Sequence, residues 1–362
     1  MARKSAQPLL QARLSAQLLS GKPARDPVAV AERVLAVQGQ DPRGFRLAVR
    51  ARTEGVTAAD VDKALTEDRS LLVTWLNRGT LHLVRSEDYP LIQAVTTPPL
   101  RTSSERRLAQ EGVPPADAER AVAAIVKALA GEGPLSSREL RERLVADGIG
   151  AQGQALYHLL FKASLDGLVV RGPMAGKQHA YVLVDDWLPK TKAVERDAAL
   201  PEFARRYLAG HGPAADRDLA RWAGIPVGQA RRGLAGISSE LKDLGDGVVD
   251  LKRRKPAPGL PPPRLLGSFE PCLLGWASRE DIVGSDPKNL ITVGGMFYPF
   301  AMVRGQAVAR WKLRDGEVEL DPFRRIAKAD REALEADAVD VRRFLGLEVA
   351  VRGGLGGAPK ER

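Results

Sequence analysis

"GPLSSRELRERLVADG" occupies residues 133–148, and "GPAADRDLARWAGIP" occupies residues 212–226. Both run Gly-Pro, a short polar segment suited to capping, and then Arg-x-Leu on a helix face. Apolar residues three to four apart after a polar cap are what a helix-turn-helix scaffold requires. A recurrence at roughly 80 residues predicts tandem modules rather than a solenoid.

The flanks extend each copy. Helical patterns at 118–129, 137–146 and 152–166 precede the β-rich "GLVVRG" and "HAYVLVDD", three helices followed by a strand pair. Around the other copy, "VERDAALPEFARRYLAGHG" and "PVGQARRGLAGI" supply the first and third helices, with strands expected near 241–251. The N-terminal part shows the same layout: helical patterns at 9–19, 28–37, 42–52 and 58–67, then "LLVTWLNRGTLHLV", a hairpin around Asn77, Arg78 and Gly79. Three helices and a hairpin make a winged helix. The expected fold class is therefore α+β and helix-rich, with three tandem winged-helix domains at 8–98, 116–190 and 195–362. The interval 97–115, rich in Pro and charge, separates the first two. The last includes a β-rich C-terminal part, with a "MVRGQAVARWKL" hairpin turning at Gly305 and a helix at 328–345.

Composition narrows the function. The 55 Lys and Arg outnumber the 45 Asp and Glu, giving a net charge of +10, which suits a polyanion such as nucleic acid. A solvated basic surface in an Arg-rich chain accounts for the same balance. The single cysteine, Cys272, excludes an intramolecular disulfide and a CxxC zinc site, which points to a reduced, cytoplasmic setting. No apolar run approaches the ~18 residues of a membrane span, and the N-terminus lacks a signal-peptide core. His82, His158, His179 and His211 are scattered without metal-ligand spacing, so neither metal nor cofactor is expected. "GIGAQG" at 148–153 follows a helical pattern rather than a strand and reads as a loop, and "GGLGG" at 353–357 reads as a polar tail.

"AVQGQDPRGF" at 36–45 has a local explanation. A helix over 28–37 stops, Gly39 takes the left-handed position, and Asp41-Pro42 caps and starts the next helix. On that reading Gln38 and Gln40 are solvated turn residues. Arg43 and Arg46 then either pair with phosphates or form a solvated helix face. Arg78, Thr80 and His82 alternate on one face of a strand, where Thr80 and His82 either line a channel or support the hairpin. "LKRRKPAPGLPPPRLLG" places Lys252, Arg253, Arg254 and Lys255 before a proline-dense exposed linker, available to phosphates.

Two function classes survive: a regulator that binds a promoter and an enzyme that acts on DNA. No ligand-binding domain or dimerisation coiled coil supports the regulator. "AVQGQDPRG" at 36–44, "LNRGTLHLV" at 76–84, "RDLARWAG" at 217–224, "LLGSFEPCLLGW" at 265–276 and "GGMFYPFAMVRGQAVARWKL" at 294–313 run in the order of a known family. Through them the chain resembles the AlkZ/YcaQ-type bacterial DNA glycosylases, a tandem winged-helix superfamily. The resemblance implies a C-shaped protein whose channel holds duplex DNA, with Gln38 and Gln40 as the catalytic Gln-x-Gln motif. It also implies kinship with self-resistance enzymes of producers of DNA-alkylating compounds, and an open channel that admits a bulky adduct without full base extrusion. The departures are Gly39, where the family usually has an apolar residue, and Glu270, Cys272 and Trp276.

Elementary chemistry agrees with that motif. A Gln amide does not titrate, so it can only orient a water and face a developing oxocarbenium with its dipole. Such help suffices when the base already leaves readily, as a cationic N7-alkylated purine does. Asp41 is the one carboxylate in the motif, and the Asp-Pro context assigns it to capping. The expected protein is a monomeric, nucleoid-associated glycosylase whose partner is double-stranded DNA carrying alkylated purines.

Overall fold

The structure, a computed structural model, describes residues 3–150, 152–175, 178–190 and 194–347. The glycine-rich stretch at 353–357 lies outside them.

The N-terminal segment contains α1 (Arg3–Ala16), α2 (Pro27–Val34), β1 (Val37–Gln38), α3 (Pro42–Arg50), α4 (Ala58–Thr66), β2 (Leu71–Trp75), β3 (Leu81–Arg85), α5 (Tyr89–Thr96) and α6 (Pro98–Gln110). The interval expected as a separator is thus largely helical. Pro98 and Pro99 occupy the first turn, where a missing N–H costs nothing, and Ser104 and Leu108 face inward. The next segment runs α7 (Pro115–Glu132), α8 (Ser137–Ala146), α9 (Ala155–Leu165), β4 (Val169–Ala175), β5 (Gln178–Leu183) and α10 (Val184–Trp187). Ser136 caps α8, accepting from the Glu139 N–H while Glu139 accepts from Ser136, as "SSRE" predicts.

The third segment holds α11 (Arg196–His211), β6 (Ala214–Ala215), α12 (Asp216–Ala223), α13 (Val227–Ala235), β7 (Leu241–Asp243) and β8 (Val248–Leu251). The remainder holds β9 (Arg264–Leu266), α14 (Pro271–Leu274), α15 (Glu280–Val283), β10 (Phe300–Val303), β11 (Gln306–Arg314), β12 (Glu317–Pro322) and α16 (Lys328–Phe344). Arg304 and Gly305, both at positive φ, turn β10 into β11.

One antiparallel sheet organises the site. Its order is β1-β3-β2-β4-β5, so the hairpins of the first two segments share a sheet through the Val73–Arg171 pairing. Alternation along the strands gives it two apolar faces. Val37, Val73, Trp75, Leu81, Leu83, Val169 and Tyr181 join one core with α3, α4 and α7 to α9. Leu72, Leu76, Val84, Val170 and Val182 join the other, with α1, α5 and α11 to α13. Trp75 anchors the first core, with Tyr157 and Phe161 edge-on at 5.5 and 5.8 Å. At ~1.5–3 kcal/mol per fully buried large apolar side chain, these two faces hold the segments on the sheet.

A four-stranded sheet, β12-β11-β10-β9, and a three-stranded one, β6-β8-β7, complete the fold. The C-terminal helix is tied to the motif helix by charge: Asp337 accepts from Arg50 at 2.9 Å, from Arg264 at 3.0 Å and from the Leu265 N–H at 2.6 Å. Burial alone would raise the Asp337 carboxyl, but these donors outweigh it and hold the group below its ordinary value.

Candidate active site

The helix before the motif is shorter than its periodicity suggests. It ends at Val34, and the left-handed residue is Leu35 at φ 67°, not Gly39. Strand pairing overrides the helical pattern here, because Val37 and Gln38 lie opposite Leu83 and His82 on the sheet edge. Val37 therefore faces the Trp75 core, and Gln38 shares the other face with His82 and Thr74. Gly39 donates to the Leu81 carbonyl at 2.6 Å, and a Cβ there would meet the Val73 Cγ1 at 3.3 Å. Its lack of a side chain thus fits a crowded approach rather than an unusual dihedral angle.

Both amides are held at their oxygens. Gln38, 8% exposed, accepts at Oε1 from Arg78 Nη2 at 3.1 Å. Gln40 is exposed and accepts at Oε1 from the Leu81 N–H, also at 3.1 Å. The Leu81 peptide thereby clips Gly39 with its carbonyl and Gln40 with its amide. Each glutamine oxygen keeps a second lone pair, and neither group titrates. Such an arrangement can orient a water and stabilise a developing cation. It cannot remove a proton as an ionised base would.

Asp41 is committed to structure. Its Oδ1 accepts from the Arg43 N–H at 2.9 Å as the cap of α3, and its Oδ2 accepts from the Ser268 hydroxyl. The approach is close: a Cβ on Gly44 would lie 2.6 Å from the Ser268 carbonyl, and one on Gly267 would lie 2.8 Å from the Gly44 carbonyl. The glycines of "DPRGF" and "LLGSF" therefore let the motif helix seat against the end of β9. Arg43 is exposed and has no side-chain partner among the described residues. Arg46 is drawn inward, bonded to Asp62 at 2.9 Å and to the Pro42 carbonyl at 2.7 Å, and stacked on Phe45. Of the two, Arg43 is the one that presents its guanidinium to solvent.

The hairpin differs from the strand-face expectation. Arg78 lies in the turn at φ 57°, not on the strand, and Thr80 precedes β3 with its hydroxyl donating to the Asn77 carbonyl at 3.2 Å. His82 is 1% exposed and cannot line an open channel; its Nδ1–H donates to the Thr80 carbonyl at 3.0 Å. Burial, with Arg78 adding to it, pushes the His82 imidazole down to about 3 against the opposing Thr80 bond. Both residues support the hairpin.

His211 behaves alike: burial brings it to about 3, and its Nδ1–H donates to the Tyr207 carbonyl at 3.2 Å. Neutral in the fold and ordinary when unfolded, the two rings make the unfolded chain bind more protons below pH 6.5, so stability present above that pH is lost as pH falls. Two such groups predict about 3 kcal/mol less stability at pH ~5.5 than at pH ~7.5. Urea unfolding at the two pH values measures it, and equal midpoints would remove the assignment.

The basic run is not uniform. Arg254 turns inward, bonding Asp250 at 2.6 Å and the Leu208 carbonyl, whereas Arg253 and Lys255 are exposed and Lys252 reaches the Ser239 carbonyl at 2.7 Å. A sequence of four consecutive cations does not reveal that the second arginine has a buried acceptor set. Changing Lys252, Arg253 and Lys255 to Ala is expected to weaken all duplexes alike and flatten the salt slope by up to ~0.9 for each phosphate that is no longer neutralised. Arg254→Ala should instead destabilise the fold. Salt titrations of duplex affinity separate the two effects, and an unchanged slope in the triple variant would mean a solvated loop.

Two features escaped the sequence reading. Arg221 and Arg279 come from segments that meet at the Arg78 turn, through the Arg78–Trp222 and Ala277–Asp218 bonds, although they are distant in sequence. A cavity of about 380 Å3 also opens beside Pro42, lined by Arg141, Arg171, Tyr157, Met174 and His179. There Arg171 lies over the Trp75 ring at 5.1 Å, a stacking that only the β2–β4 pairing creates. Cys272 is buried, and burial, then Glu270, pushes its thiol well above the ordinary value, so it is no nucleophile. Among the described residues, no group of three or more His, Cys, Asp or Glu could hold a metal ion, and no helix is long and apolar enough to cross a membrane.

Comparison with known proteins identifies the family. A curated relative from Streptomyces sahachiroi, an "Interstrand DNA cross-link repair glycosylase", is 26% identical over 92% of this chain and 95% of its own length. The solved structure of the Streptomyces sahachiroi DNA glycosylase AlkZ superposes with a TM-score of 0.77 at 24% identity, covering 94% of this chain and 97% of that one. The family model "DNA glycosylase AlkZ-like" matches residues 31–344, which spans the glutamine motif, the hairpin and the C-terminal sheet. This chain belongs to the AlkZ-like family of DNA glycosylases, enzymes that hydrolyse the N-glycosidic bond of a base in DNA.

Proposed function

We propose that the protein hydrolyses the N-glycosidic bond of cationic N7-alkylated purines in duplex DNA, bulky natural-product adducts and crosslinks included, with Gln38 and Gln40 as the catalytic pair. The observation that carries this is the fixing of both amide oxygens by Arg78 and by the Leu81 N–H, with no free ionisable base at the motif among the described residues. Asp41 is used as a cap and His82 is enclosed and neutral. A site of neutral dipoles can speed loss of a base that departs without protonation, and a positively charged purine is such a base. The groups that meet the motif are guanidiniums and amides, not a lysine amine able to form a Schiff base, so simple hydrolysis by water is the expected course. Crosslink repair in the Streptomyces relative favours bulky lesions here as well.

On this reading, residues 8–98, 116–190 and 195–362 form three winged-helix units in a C-shaped arrangement around duplex DNA, acting as a monomer in the cytoplasm near the nucleoid. The helices and hairpins α2 to β3, α7 to β5 and α11 to β8 support it. An open channel of that kind holds the lesion without full extrusion of the base. A complex with lesion-bearing DNA that showed the nucleotide swung fully out would reject this last point. The regulator reading loses its support with the family assignment. Incubation with a duplex bearing N7-methylguanine, followed by analysis of the freed base, tests the activity. Free N7-methylguanine with an abasic strand is expected, and intact duplex at stoichiometric enzyme would overturn it.

A further inference from the structure

The side chain that holds Gln38 belongs to a group of arginines. Arg78 reaches from Gln38 to the Trp222 carbonyl, which anchors it to the last turn of α12. The backbones meet so closely there that a Cβ on Gly224 would lie 2.8 Å from the Arg78 nitrogen. Arg221 stands one residue before Trp222 and is exposed. Arg279 comes from the loop after α14, which is tied to α12 by the Ala277 N–H donating to Asp218 at 2.9 Å, and it lies 5.3 Å from the Phe297 ring.

Among the described residues no carboxylate pairs with any of the three. The acids of α12 are occupied elsewhere: Asp218 holds Arg13 at 3.0 Å and Asp216 holds Arg231 at 2.6 Å. Burial, with Arg221 and Arg279 acting the same way, brings Arg78 down to about 10, and burial and Arg221 lower Arg279.

A cation cluster in this place opposes the chemistry. A guanidinium 3.1 Å from the Gln38 oxygen repels both a cationic purine and the oxocarbenium that forms as it leaves. An anion seated between the arginines removes the conflict and adds a counter-charge beside the reacting sugar. Every DNA substrate brings one such anion, its own backbone phosphate, whose oxygens match the arginine fork.

We propose that Arg78, Arg221 and Arg279 seat one phosphate of the damaged strand beside Gln38, and that the site tolerates a cationic base only when this seat is filled. The proposal rests on the reading of Gln38 as a catalytic residue; Arg221 and Arg279 are positioning residues that act through the phosphate.

The test uses duplexes with one N7-methylguanine and a single neutral methylphosphonate at each flanking position in turn, read as single-turnover base release. In the wild type, one position is expected to slow release by about tenfold to a hundredfold, as removal of one charge-assisted hydrogen bond would. In R221A/R279A the unmodified duplex is slowed comparably, and the methylphosphonate at that position then adds little. R221K/R279K, which keeps the charges, should restore the sensitivity. Absence of any sensitive position in the wild type, or effects that multiply in R221A/R279A, would overturn the seat. If Q38A still released base, the catalytic reading would fail, yet the same non-additivity in duplex affinity would still report the seat. If Q38A is inactive while the effects multiply, the catalytic pair stands and the seat is gone.

Discussion

Alanine at Gln38 or at Gln40 is expected to slow release of N7-methylguanine from a duplex by roughly 30- to 1,000-fold each, with little change in duplex affinity. The magnitude follows from ~2–4 kcal/mol for one oriented dipole facing developing charge. Gln40 is the cleaner test, because its side chain is exposed and its removal frees only the Leu81 N–H. Gln38→Ala also takes one of the two acceptors from Arg78, so its effect should be the larger of the two. Neither amide titrates and His82 is already neutral, so the single-turnover rate should stay flat between pH ~6.5 and ~8. Near-normal release by both variants, or a steep rise with pH across that range, would return the chemistry to an ionised base. Asp41 would then be the first candidate.

What the sequence made legible divides along a physical line. Local signals held: "SSRE" gives the capping box at Ser136 and Glu139, Asp41-Pro42 caps α3, and Arg304-Gly305 turns a hairpin. These features depend on neighbours within a few residues, so composition at fixed spacing is enough. The failures needed long-range partners. Val37 reads as helical by periodicity and is drawn into a strand only because β3 lies beside it. Thr97 and its prolines read as a break, yet the prolines sit where a helix start accepts them and the rest packs inward. Arg254 and Arg46 look like free cations until Asp250 and Asp62 are placed next to them. The site divided the same way. The two glutamines could be named from a motif, but the donors that hold them, Arg78 and the Leu81 peptide, are set by the register of β1 on β3.

The largest drop in stability is expected at the pair Arg52 and Glu270. Both side chains are fully buried, 2.5 Å apart. Arg52 spends its other donors on the Gln17 carbonyl at 2.7 Å, the Ala48 carbonyl at 2.8 Å and the Gln17 amide oxygen at 3.2 Å. Glu270 accepts from Arg52 at one oxygen, while the other has no partner among the described residues. Removing either partner strands a charge in the interior, which costs ~3–5 kcal/mol. Arg52→Ala and Glu270→Ala should therefore each lower the urea midpoint strongly. Replacing both, with Met at 52 and Leu at 270, should cost much less than the sum, because the pair's mutual attraction only offsets the desolvation of its members. The consequence reaches the motif. Arg52 follows α3, Glu270 follows the Ser268 that bonds Asp41, and Phe269 between them is held at φ 53°. Together with the Ser268–Asp41 bond at its start, the pair pins one loop against both ends of the helix that follows Gln40. A single variant that still folds at low temperature should release base more slowly than its duplex affinity explains, and the double replacement should recover stability before it recovers rate. Single variants within ~0.5 kcal/mol of the wild type would show that the buried charges are not what holds this loop.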